Sequence, residues 1–120
     1  MARPYSELRK MATPEVQERA DKLAQEIIRY MDTDNQIHDD IFTEMNRQAE
    51  LKKMGKFKYI LSDSEMSDTE RMTSTLEEVG EVARAVNDND IANKREELVQ
   101  VIACCWQWIR HIDTTERLIK

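Results

Sequence analysis

Three glutamates crowd into five positions of the stretch LEEVGEVARAV, at Glu77, Glu78 and Glu81. On a helix of 3.6 residues per turn they fall within roughly 100° of one another, beside the apolar residues and not opposite them. Like charges three and four apart repel, so such a strip costs stability unless a cation sits on it. A second stretch, REELVQVIACCW, places Glu97 and Gln100 three apart, again on one helical face. Carboxylate and amide oxygens gathered in this way are the ligands that hard divalent cations such as Mg²⁺ take.

EExxE alone is common on solvated helix faces, and Arg84, three beyond Glu81, offers a plain ion pair. What lifts the pattern is the spacing of the two stretches about NDND, Asn87 to Asp90, a tight turn. In an antiparallel helix hairpin about that turn, Glu81 stands level with Glu97 and Glu78 level with Gln100. Both pairs are centred on Asn89. The cage would then lie about 12 Å or more from the turn at 1.5 Å per residue.

These residues resemble a known family. EEVGE followed by EELVQ looks like the EExxE…ExxD signature of the MazG-like, all-α nucleoside triphosphate pyrophosphohydrolases, best over Arg71 to Ile109 and more loosely over NRQAELKKMGKFKY. The resemblance implies a helical homodimer or homotetramer that uses Mg²⁺ to hydrolyse a nucleoside triphosphate to the monophosphate and pyrophosphate. Mn²⁺ is a possible substitute. By position it implies Glu78, Glu81 and Glu97 as metal ligands, with Gln100 completing the set. Glu77 matches the first glutamate of the motif, as a ligand to a second ion or as the group that orients the attacking water. Glu77 and Glu81 are then the candidates to take the proton from that water.

Two departures stand out. Gln100 occupies the place where the signature has Asp; its amide oxygen can ligate Mg²⁺ but brings no charge and cannot act as a base. The basic, Asn- and Arg-containing stretch that many relatives carry after the last helix is not evident. Phosphate oxygens away from the metal need cations, for which Lys56, Lys58 and Arg71 are candidates. The rival reading is a non-catalytic helical binding or regulatory protein that retains a degraded site of this kind.

The elements that must position these groups are helical. Only two Gly and two Pro among 120 residues, with many Glu, Lys, Arg, Met, Ala and Leu, favour helices strongly. Thr13 as N-cap and Pro14 at the first position open a helix in which Val16, Ala20, Leu23, Ala24, Ile27, Ile28 and Met31 share a face. DTDN, Asp32 to Asn35, reads as its stop. A second helix is expected from Ile37 to Met54, ended by Gly55 in a left-handed conformation. Lys56 to Asp68 reads as a surface connection with a short extended piece at Phe57 to Leu61. Ser67-x-x-Glu70 is a capping box for the third helix.

In the third helix Met72, Leu76, Val79, Ala83 and Val86 form the expected core seam. In the fourth, Leu98, Ile102, Cys105, Ile109 and Ile112 do so. The fold expected is therefore all-α and four-helix, bundle-like, with helices three and four as an antiparallel hairpin carrying the metal site. Residues 1–36 read as an N-terminal helical extension packing on the bundle or a partner subunit. Residues 37–120 read as the MazG-like domain.

Composition bounds the alternatives. A formal net charge of −6 argues against nucleic acid or an anionic membrane as partner. No apolar run approaches membrane-spanning length, and the charged N-terminus lacks the apolar stretch of a signal peptide. Cys104 and Cys105 point about 100° apart on a helix, which reads as buried, unbridged thiols in a reducing, cytoplasmic compartment. MGKFK lacks the Gly-rich loop and Ser/Thr of a P-loop. His38 and His111 lack the Glu-x-x-His spacing of a di-iron site and are expected at the surface. Trp106 and Trp108 are expected in core or interface packing.

Overall fold

In the computed structural model, which describes residues 4–116, the chain is all-α. Its helices are α1 (Tyr5–Met11), α2 (Pro14–Lys53), α3 (Asp68–Asn87) and α4 (Ile91–His111), followed by a π-helical turn at Ile112–Glu116. By compactness the chain divides between Gln36 and Ile37.

In the N-terminal unit, α1 is held to the start of α2 by side chains. Gln17 Nε2 donates to the carbonyls of Arg9 at 2.8 Å and Ala12 at 3.0 Å, and Arg9 pairs with Asp21. The Val16 N–H donates to Thr13 Oγ1 at 3.3 Å, as the expected cap requires. DTDN does not stop the helix: α2 continues through Asp32 to Asn35 without interruption. Extending an existing helix over Asp, Thr and Asn costs at most about 0.7 kcal/mol per residue, less than nucleating a new one. Thr33 accommodates itself by donating its hydroxyl to the Arg29 carbonyl at 2.9 Å.

In the second unit, α2 ends as the sequence predicts. Gly55 adopts φ +77°, its N–H bonds the Lys52 carbonyl, and the Lys56 N–H bonds the Leu51 carbonyl, both at 2.9 Å. These two bonds are the Schellman closure. Residues 56–67 contain no extended ladder; the expected strand-like piece at Phe57 to Leu61 is turns and coil. The Ser67–Glu70 capping box is formed in both directions, each bond 3.1 Å. Asp90 caps α4 by accepting the Asn93 N–H, and Asn89 takes φ 54°, which Asn tolerates better than most residues. Helices α3 and α4 pack against each other on either side of that turn.

The faces by which they pack differ from expectation. Met72, Leu76, Val79 and Val86 of α3 are exposed, as are Leu98, Ile102, Cys105, Ile109 and Ile112 of α4. What the chain buries lies one position over, about 100° around each helix: Arg71 and Ala85 on α3, and Val99, Ala103, Cys104, Gln107 and His111 on α4. Ile41 and Met45 of α2 pack with Val99 and Ala103, and Trp106 closes over them, edge-on to Phe42 and His38. Leu61, Met66 and Cys104 make a second cluster with Tyr59. His111 is thus buried and not at the surface, and of the two free thiols only Cys104 is enclosed.

Candidate functional site

The rotation of α3 and α4 brings their polar strip inward. The Gln100 carboxamide lies between the two acids it was expected to join, one of its terminal atoms 2.6 Å from Glu78 Oε2 and 3.1 Å from Glu97 Oε2; facing two carboxylates, that atom is assigned as the donating nitrogen. Glu97 also lies across the hairpin within reach of Glu78, close enough for a proton on Glu78 to bridge the two carboxyls. Glu81 is near enough to repel Glu78, but its own carboxylate meets Arg84 at 3.4 Å. Arg84 is mostly exposed and Glu81 partly so, so that pair is worth little and leaves Glu81 free to turn. Glu77 is exposed at the edge of the cluster.

A fifth acid comes from α2. Glu44 acts on Glu78 through space and is fixed by three donors: Arg47 Nε at 2.8 Å, Arg47 Nη2 at 2.6 Å and Gln48 Nε2 at 3.0 Å. Burial opposes its ionisation, yet these bonds outweigh it and hold its pKa below the ordinary carboxylate value. Sequence reasoning passed over Glu44, although a signal existed. It sits three after Ile41 and one before Met45, on the face of α2 that the core claims.

Glu78 goes the other way. Burial first, then the hydrogen bond and charge of Glu97, then Glu44 and Glu81, push its pKa from 4.5 up to about 7. The folded chain therefore keeps this proton to about pH 7, whereas an unfolded chain releases it near 4.5. Its stabilising contribution is complete below pH 4.5 and lost as pH rises through 7. Glu44, Asp63 and Glu70 have lowered values, so their contributions fade only in acid, outside that window. We expect the melting temperature to fall from pH 5 to pH 8, and Glu78→Gln to flatten that decline. An unchanged slope in the variant would show that Glu78 is not the group responsible.

Beside these acids opens a cavity of about 180 Å³, whose walls include Arg47, Phe57, Tyr59, Ser74, Glu77 and Glu78. Cys104 also lines it, its thiol pushed up to about 12 by burial and by Glu78, so it stays protonated and is no nucleophile. Of the candidate phosphate-binding cations, Lys56 and Lys58 are exposed on the loop, and the Lys58 ammonium lies 5.0 Å from the Tyr59 ring centre. Arg71 is placed differently. It is only 2% exposed, and its guanidinium donates to the Leu61 carbonyl at 2.8 Å, the Asp63 carbonyl at 2.5 Å and Asp68 at 2.8 Å. Those bonds tie down the loop and leave the group no face toward a phosphate.

Among the described residues, no three His, Cys, Asp or Glu side chains already converge to hold a metal ion. The Gln100 amide takes the central position between Glu78 and Glu97. Among those residues, too, no helix is long and apolar enough to cross a membrane. The chain matches no protein-family model, no curated protein and no solved structure.

Proposed function

We propose that this protein is a Mg²⁺-dependent hydrolase that cleaves a nucleoside triphosphate, or a related nucleotide, to the monophosphate and pyrophosphate. The observation that carries the reading is the meeting of Glu78, Glu97 and Gln100 across the α3–α4 hairpin, with Glu44 behind them and a cavity alongside. Acids held this close, with one neutral amide between them, form a site that a cation would relieve. The MazG-like motif supports the same assignment.

The residues that would hold Mg²⁺, or Mn²⁺ in its place, are Glu78, Glu81, Glu97 and Gln100, with Glu77 at the rim. Gln100 contributes its carbonyl oxygen once its carboxamide turns over. When bound, the ion neutralises phosphate oxygens and acidifies a water. Glu77 or Glu81 takes the proton of the attacking water, and the cavity orients the nucleotide for in-line displacement. Lys56 and Lys58 supply positive charge from the loop. Incubation with a panel of ribo- and deoxyribonucleoside triphosphates and Mg²⁺, following pyrophosphate release, tests the reading. Turnover of none of them, modified nucleotides included, would end it.

One observation favours a non-catalytic binding or regulatory protein instead. The Gln100 amide already satisfies Glu78 and Glu97 without any ion. Calorimetric titration of Mg²⁺ and Mn²⁺ into the chain and into Gln100→Asp separates the two. Binding that strengthens in Gln100→Asp supports the cation site; binding in neither supports the rival.

The assembly we infer is a homo-oligomer in a reducing, cytoplasmic setting. Met72, Leu76 and Val79 of α3 and Leu98, Ile102 and Ile109 of α4 recur at helical spacing, yet all are exposed, as apolar faces that await a partner are. A second copy of the chain covers them in this reading. Leu76→Glu combined with Ile102→Glu is expected to yield monomers by light scattering. Unchanged mass would place the interface elsewhere.

A further inference from the structure

The acid cluster and the loop that walls the cavity are joined by a line of buried amides. The Leu61 N–H donates to Gln107 Oε1 at 3.1 Å, Gln107 Nε2 donates to Gln48 Oε1 at 3.0 Å, and Gln48 Nε2 donates to Glu44 Oε1 at 3.0 Å. Gln107 is 1% exposed and Gln48 8% exposed, so water does not compete for these bonds.

The direction of the line is set at both ends. A backbone N–H can only donate, so Gln107 must turn its oxygen to Leu61 and its nitrogen to Gln48. Gln48 must then present its oxygen to Gln107, which leaves its nitrogen for Glu44. An ionised carboxylate can only accept, so the line closes there with no group left over. Reversing either amide would set donor against donor at one end and acceptor against acceptor at the other.

We propose that Gln107 and Gln48 are positioning residues, a relay that holds Glu44 against the acid cluster and passes changes there to the cavity wall at Leu61. The loop has little freedom to respond in another way, because Arg71 fixes the Leu61 carbonyl from the opposite side. A cation held by Glu78 and its neighbours would change the charge facing Glu44, and so the pull on Gln48 and, through Gln107, the seat of Leu61. By reciprocity, whatever seats in the cavity against Leu61 biases the acids. This last consequence rests on the cation reading above; the relay itself does not.

The test reads amide hydrogen exchange by NMR on the full chain without added metal. Glu44→Ala removes the acceptor at the far end. It is expected to speed exchange at Leu61 roughly two- to tenfold, the effect of weakening one buried hydrogen bond. The Met66 amide, bonded to the Asp63 carbonyl within the same loop, should keep its rate. In a Gln48→Met background, Glu44→Ala should no longer affect Leu61. Should Gln48→Met fail to fold, Gln48→Leu cuts the same link.

Exchange at Leu61 that ignores Glu44→Ala overturns the relay. So does an equal acceleration at Leu61 and Met66, or a response that survives cutting the line, since each indicates general loosening. A parallel calorimetric titration with Mn²⁺ separates the two claims. If Mn²⁺ does not bind, the cation reading falls while the Leu61 result still decides the relay. If Mn²⁺ binds, its addition should change Leu61 exchange in the parent chain and not in Gln48→Met.

Discussion

On the proposed function, Glu78→Gln is expected to lower nucleotide hydrolysis by at least about two orders of magnitude while making the folded chain no less stable at pH 8. Glu78 would hold the ion, whose stabilisation of transition-state charge is worth several kcal/mol, so losing it costs at least about 10²-fold. Glu78 is the acid on which the others converge, touched by Glu97 and Gln100 and opposed by Glu44 and Glu81. The amide keeps its volume and removes its charge. Three carboxylates lose a repelling neighbour, which is why stability should hold or rise as activity falls. Such opposition between stability and activity is common where a site gathers like charges for use. Pyrophosphate release measured beside thermal melts checks both halves. Activity within a few-fold of the parent would remove Glu78 from the mechanism, and a lowered melting temperature would show that its charge is compensated in some other way.

How far these groups could be read from the sequence depends on what kind of signal each left. Caps and turns are local chemistry, so Ser67 with Glu70, Gly55 after α2 and the Asn89 turn were legible. The hairpin register followed from them: it sets Gln100 level with Glu78, where the two meet, and Glu81 level with Glu97, although the Glu81 carboxylate meets Arg84. DTDN misled because a polar tetrapeptide without Gly or Pro is a weak stop once a helix is under way. The seams on α3 and α4 misled for a deeper reason. Periodicity tells which residues seek burial, not whether the same chain or a second copy provides the cover. Their spacing makes Leu76 and Ile102 core residues of this chain, whereas the apolar side chains that α3 and α4 bury are Ala85, Val99, Ala103 and Cys104.

The buried polar groups left the faintest signal. Glu44 and Gln48 lie on the core face of α2, and Gln107 on that of α4, where a reader expects apolar residues and discounts exceptions. Each became intelligible only with its partner, and those partners lie as many as 59 residues away in sequence. Long-range pairing of polar groups has no periodicity to reveal it. The consequence for the site is concrete: the sequence exposes the α3–α4 half of the cluster and hides the half that α2 contributes.

Arg71→Ala is expected to destabilise the chain by about 3–4 kcal/mol, the largest stability effect of any change considered. Its guanidinium satisfies two loop carbonyls, and an orphaned buried acceptor costs about 1–3 kcal/mol. Total stabilities of about 5–15 kcal/mol make that a large share. Asp68→Asn, which weakens only the mostly exposed partner, should cost well under about 1 kcal/mol. Arg71→Lys decides what the residue is for. One ammonium cannot span contacts made separately by Nε, Nη1 and Nη2, so the loop clamp should fail almost as badly as in the alanine variant. A phosphate ligand would behave in the opposite way, because lysine serves a phosphate well as a point charge. Urea denaturation and KM for nucleotide, measured together on Arg71→Lys, therefore separate the roles. Lost stability marks the clamp that holds Leu61 against the cavity; preserved stability with a raised KM would return Arg71 to the substrate.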